Sequence, residues 1–160
     1  MKKNVRLALA ALPFCAFALA TEAQACPDYN LPASFGEIVL YENFQPDPWV
    51  RNITAGGRYS LAGCFGDSRY TGSVAAKPDF AFQYTTSGTY NLTIMVQSGY
   101  DTMLLINDPN GQWWFDDDSG GGMNPAITFT NPQSGVYDIW IGSYDGGRGL
   151  PGQLMISERY

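Results

Sequence analysis

The sequence predicts an all-β protein, a single jelly-roll-like antiparallel β-sandwich of about eight or nine strands. Three observations carry that prediction. Apolar residues alternate with polar ones over short runs rather than at helical spacing. Gly, Pro, Asn and Asp punctuate those runs at short intervals. Acidic residues beyond position 25 are eleven Asp and three Glu, and Asp favours turns where Glu favours helices.

The elements follow in order. Weaker strands are predicted at Glu37 to Tyr41, Trp49 to Ile53 and Arg58 to Leu61. Phe80, Phe82 and Tyr84 alternate with Ala81 and Gln83, and Leu92, Ile94 and Val96 alternate with Asn91, Thr93 and Gln97. Each pattern sends one face to a core and one to water. Thr102 to Asn107 is more uniformly apolar, which predicts a central strand. Asp108-Pro109-Asn110-Gly111 then gives the clearest hairpin signal, because Gly supplies the positive φ of a tight turn. Trp113-Trp114-Phe115 begins the returning strand. Ile127 and Phe129, then Tyr137, Ile139 and Ile141, then Leu154 and Ile156 complete the alternating segments.

Residues 1–25 are excluded from the fold. Lys2, Lys3 and Arg6 precede an apolar stretch from Leu7 to Ala20, and Ala23-Gln24-Ala25 offers a small-x-small cleavage pattern. That is the layout of a secretory signal, so a periplasmic or secreted bacterial protein is expected, with one domain over residues 26–160. Lipid attachment at Cys26 is disfavoured, because Ala23 stands where lipoprotein signals carry Leu. No later run is long enough to span a bilayer as a helix. Cys26 and Cys64 remain after cleavage, and an even pair in an exported chain predicts a disulfide, two free buried thiols being the alternative.

Removing the leader lowers the basic residues from 9 to 6 and the acidic ones from 15 to 14, a net charge of −8. Such a surface repels phosphate backbones, which excludes nucleic acid as a partner, and it suits divalent cations. The chain contains no His. Ser-His-Asp and Cys-His catalysis therefore have no general base, and the usual His-based zinc sites have no ligand. Lys77, the sole lysine beyond the leader, has no matching serine motif for a Ser-Lys pair. Asp118-Ser119-Gly120 matches the D-[ST]-G of aspartic proteases, but its acidic and glycine flanks cannot bury a proton-sharing carboxylate pair.

The segment Asp101-Thr102-x-Leu104-Leu105-Ile106-x-Asp108-Pro109-x-Gly111 is followed by Asp116-Asp117, Asn124-Pro125 and Ser134-Gly135-x-Tyr137-x-Ile139. This pattern resembles the bacterial pre-peptidase C-terminal domain, over about residues 79–158. The stretch before it, with Gly56-Gly57, Cys64 and Pro78-Asp79-Phe80, resembles small stand-alone exported relatives of that domain, some of which carry a trypsin-like label. The His-free composition contradicts such an activity here. The resemblance implies a jelly-roll-like sandwich, usually an accessory of secreted hydrolases, linked to calcium, substrate adhesion or secretion.

The expected function is a non-catalytic binding, adhesion or accessory module whose partner is a protein or a polysaccharide. A calcium-dependent carbohydrate-binding protein is the first alternative, and a hydrolase with an unrecognised carboxylate site is the last. Asp116, Asp117 and Asp118, with Asp108 or Asn107 brought in across the hairpin, are the candidate calcium ligands, since hard cations take several oxygens. Trp113, Trp114 and Trp140 are the candidate ligand platforms. Trp113 and Trp114 are neighbours in a strand, so they must point to opposite faces. Trp140 falls out of phase with Tyr137, Ile139 and Ile141, which predicts an outward-facing ring.

Overall fold

A computed structural model describes residues 26–160. The secretory leader expected over residues 1–25 lies outside the described residues. The described residues form eleven strands and no helix: β1 (Glu37–Tyr41), β2 (Trp49–Gly56), β3 (Tyr59–Ser60), β4 (Ser73–Val74), β5 (Phe80–Thr85), β6 (Leu92–Ser98), β7 (Thr102–Asn107), β8 (Trp113–Asp116), β9 (Ala126–Phe129), β10 (Gly135–Ser143) and β11 (Arg148–Ser157). They make a seven-stranded and a four-stranded sheet. The architecture is the expected all-β sandwich. The count exceeds the expected eight or nine because β3 and β4 are two-residue strands, and β4 is too short to show alternation.

β10 organises the larger sheet. It pairs with β5 through Gly135 to Ile139 on one side and with β7 through Asp138 to Ser143 on the other. β8 then pairs with β7 and forms an edge of the sheet. β1 pairs with β5 in parallel, so the expectation of a purely antiparallel sandwich is corrected there. The chain leaves β1, crosses through β2, β3 and β4, and re-enters β5 from the same end, as a parallel pair requires. The second sheet runs β2-β11-β6-β9.

The alternating residues meet between the sheets. Phe80, Phe82, Tyr84, Leu92, Ile94, Val96, Leu104, Ile106, Ile139, Ile141, Leu154 and Ile156 share one buried cluster. Each such side chain contributes roughly 1.5–3 kcal/mol through removal from water. All six residues of β7 are buried, and the reason is a second cluster on the opposite face of its sheet. There Met103, Leu105 and Trp140 pack with Leu61 and Val74. A strand covered on both faces is uniformly apolar. Gly142 of β10 serves the same crowding, because a Cβ there would lie 2.2 Å from Met103 Sδ and 2.5 Å from Ser73 O.

The cover over this outer face comes from two segments joined by a disulfide. Cys26 and Cys64 are bonded with their Cα atoms 5.6 Å apart. From Cys26 the chain runs as a strap. Asp28 N donates to Ala76 O at 2.9 Å, Ser34 N to Pro78 O at 2.8 Å and Phe35 N to Asp79 O at 2.9 Å. Tyr29 reaches Trp113, with ring centroids 6.1 Å apart. Asp79 anchors the far end: it is buried, its N–H donates to Ile139 O and its Oδ2 accepts from Ile141 N at 2.6 Å. Burial pushes its carboxyl up to about 7, only partly opposed by that hydrogen bond.

Candidate functional site

The β7–β8 hairpin builds the candidate site. Asp108 N donates to Gln112 O at 2.9 Å and Gly111 N to Asp108 O at 2.8 Å, with Gly111 at φ +78° as the turn signal requires. The buried Asp108 carboxylate closes the loop from inside. Its Oδ1 accepts from the N–H groups of Asn110 and Gln112, each at 2.9 Å. Its Oδ2 accepts from Trp114 Nε1 at 2.9 Å. An indole fixed by a carboxylate that is itself fixed by backbone donors is preorganised.

Trp113 and Trp114 diverge as the strand period demands. Trp113 joins the outer cluster, 5.3 Å from Trp140 and 5.0 Å from Phe65 between ring centroids. Trp114 goes to the other face, packs its edge against Phe129 at 5.1 Å, and remains 38% exposed. The loop after Cys64 supplies a facing wall: Phe65 and Tyr70 stack at 4.4 Å, Tyr70 lies 5.7 Å from Phe115, and Tyr70 Oη donates to Trp113 O at 3.3 Å.

Two hollows flank Trp114. One, of about 650 Å³, is lined by Phe65, Tyr70, Trp113 and Phe115 together with Asp67 and Arg69. The other, of about 320 Å³, lies toward β9 and includes Asp108, Asn110, Asn131 and Gln133. Gln112 and Trp114 line both. Arg69 Nη2 pairs with Asp67 Oδ2 at 2.8 Å, and that guanidinium holds the Asp67 carboxyl below its ordinary range. Among the described residues, the side-chain amides of Asn110, Gln112 and Asn131 make no hydrogen bond.

No family model matches the chain, and no curated protein matches it. Among solved structures, the pre-peptidase C-terminal domain of collagenase from Bacillus anthracis is similar over 80% of this chain and 97% of that one, at a TM-score of 0.44 and 14% identity.

The sequence-predicted acidic residues divide into two places. Leu104 stands opposite Asp116 and Asn107 opposite Trp113, so Asn107 and Asp108 sit at the turn end of the hairpin and Asp116 at the other. Asp116 acts as a loop cap: Oδ2 accepts from Ser119 N at 2.9 Å and Ala126 N at 2.8 Å, and Oδ1 from Ser119 Oγ at 2.6 Å. Asp117 is held above the ordinary carboxylate range by burial and then by Asp118 and Asp116. Asp101 is raised likewise, by burial and then by Asp118, Asp145 and Asp117. Among the described residues no group of three His, Cys, Asp or Glu side chains is arranged to hold a metal ion.

Trp140 corrects an expectation. It does lie on the face away from the inter-sheet core, but that face is covered, and the ring is fully buried under Leu61, Val74 and Trp113. Among the described residues its Nε1 has no hydrogen-bond partner. It offers no surface to a ligand and instead supports Trp113 from below. The residues that sequence reasoning did not single out are Phe65, Tyr70, Gln112, Asn131 and the Asp67–Arg69 pair. Phe65, Tyr70 and the Asp67–Arg69 pair fall together in the turn-rich stretch Cys64-Phe65-Gly66-Asp67-Ser68-Arg69-Tyr70, whereas Gln112 and Asn131 carry no comparable sequence signal.

Proposed function

We propose that this chain is an exported, non-catalytic binding module of the pre-peptidase C-terminal type, which grips an extended polymer along the β8 edge. The observation that carries the reading is Trp114, half-exposed yet locked by Asp108, between two hollows that share it. Large side chains left in water at a defined angle suit ligand contact, and concave sites with a few convergent polar groups suit binding. The Cys26–Cys64 disulfide and the leader-like residues 1–25 support export to an oxidising compartment.

Two facts support binding over turnover. The chain lacks His. Both carboxylates lining the hollows are engaged, Asp67 by Arg69 and Asp108 by three N–H donors. A glycosidase needs two carboxylates free to face a bond across a cleft. The test is co-sedimentation of the purified chain with insoluble polymers, including neutral and acidic polysaccharides and fibrous protein, each compared with W114A. Retention lost in W114A supports the reading. Retention on none of the polymers, or equal retention of W114A, overturns it.

A further inference from the structure

We infer that the groove takes an uncharged polysaccharide, with sugar rings seated on both sides of Trp114. This inference rests on the binding-module reading above and adds to it the class of ligand and the number of subsites.

Charge decides against polyanions. Among the described residues Arg69 is the sole cation lining either hollow, and Asp67 neutralises it at 2.8 Å. Asp108 contributes a negative charge on the other side. Around them the chain beyond residue 25 carries a net −8. A uronate or sulfate chain would meet no free positive partner and would approach against a repulsive field.

The polar groups fit hydroxyls. Asn110, Gln112 and Asn131 each present an amide that both donates and accepts and that no other described residue engages. A sugar hydroxyl also donates and accepts, so it matches an amide on both counts, whereas a carboxylate only accepts. The aromatic surfaces of Trp114, Tyr70 and Phe115 supply flat apolar faces for the C–H faces of pyranose rings.

The backbone argues against a peptide. β8 is an edge strand, and an added strand would need its outward carbonyls. Trp113 O already accepts from the Tyr70 hydroxyl, which stands where a pairing strand would lie. The shared lining of the two hollows gives the length: a ligand filling both must pass over Gln112 and Trp114, so one ring cannot suffice.

The experiment is affinity electrophoresis of the purified chain in gels containing soluble neutral glucan or mannan, alginate, polygalacturonate or gelatin. Retardation by a neutral polysaccharide is expected, with none by the two acidic ones. N131A and Q112A, both surface changes, should each weaken it while leaving the melting temperature unchanged, and W114A should abolish it. An oligosaccharide spanning both hollows should bind about tenfold or more tightly than the monosaccharide, corresponding to one further ring contact. Retardation by an acidic polysaccharide or gelatin alone overturns the inference and leaves the binding-module reading standing. Retardation in none of the gels overturns the inference, and absence of any retention in the sedimentation assay then overturns the module reading as well. Equal affinity for mono- and oligosaccharide overturns the two-subsite arrangement.

Discussion

Trp114 Nε1 and Asp108 Oδ2 lie 2.9 Å apart, and the other oxygen of that carboxylate already holds two backbone N–H groups of the turn. The ring and the hairpin thus share one acceptor. Asp108→Ala strands three donors, two of them main-chain, and should destabilise the fold by roughly 2–4 kcal/mol. Asp108→Asn keeps one acceptor oxygen and should lose less stability while still releasing the indole. Urea unfolding checks the first expectation, and the change in Trp emission and acrylamide quenching of Asp108→Asn checks the second.

Asp79 makes stability depend on pH in an uncommon direction. Its carboxyl sits at about 7 in the folded chain against 3.8 in the unfolded one. Between those values the folded state holds a proton that the unfolded state has released, so stability is greatest at the acid end and falls as pH rises toward 7. The loss attached to this one group is on the order of 4 kcal/mol. Asp138, raised to about 6 by burial, acts in the same sense. Asp79→Asn keeps an acceptor for Ile141 N–H and should flatten much of that decline. Chemical denaturation from pH 4 to 8 of both proteins checks it; parallel curves would contradict it.

Trp140 carries a buried donor with no acceptor among the described residues. Trp140→Phe removes that unsatisfied N–H while leaving a small void, so the two effects oppose each other. The variant should stay within about 1.5 kcal/mol of the parent, whereas Trp140→Ala should cost about 3–5 kcal/mol. Denaturant midpoints separate the two outcomes.

Asp118 sits among like charges. After burial, it is the leading cause that lifts both Asp101 and Asp117. Asp118→Asn should lower the titration midpoints of both, read by carboxyl chemical shifts in NMR. Unchanged midpoints would remove Asp118 as a cause and leave burial and the other neighbouring carboxylates.

Reduction of the disulfide releases the loop 26–64 in the unfolded chain and should cost roughly 3–4 kcal/mol. It should also loosen Phe65, the residue after Cys64, and with it one wall of the larger hollow. Melting with and without a thiol reductant, on the wild-type chain and on the Cys26→Ser/Cys64→Ser double variant, measures the first effect.

Much of this was legible in the residues. Period-two alternation placed Phe80, Ile94 and Ile156 in one core, and the uniformly apolar run of β7 marked a central strand, which the structure shows covered on both faces. The same alternation gave the side on which Trp140 lies but not what covers that side. The cover comes from Leu61, Phe65 and the strap behind Cys26, which are irregular segments without a period. The cluster Asp116 to Asp118 read as a set of oxygens. Distances along β8 and the capping of Ser119 and Ala126 by Asp116 depend on register, which composition does not carry. The Phe65–Tyr70 wall meets β8 across more than 40 residues, beyond the reach of any local pattern.

The side-by-side placement of Trp113 and Trp114 also constrains how such a surface can change. One ring braces the outer cluster and the next faces water, and only the parity of the strand separates the two jobs. Lengthening or shortening the turn before them by a single residue would exchange the brace and the platform. Under the proposed binding role, the specificity of this edge can drift through substitutions at Asn110, Gln112 and Asn131, while the turn length must hold constant.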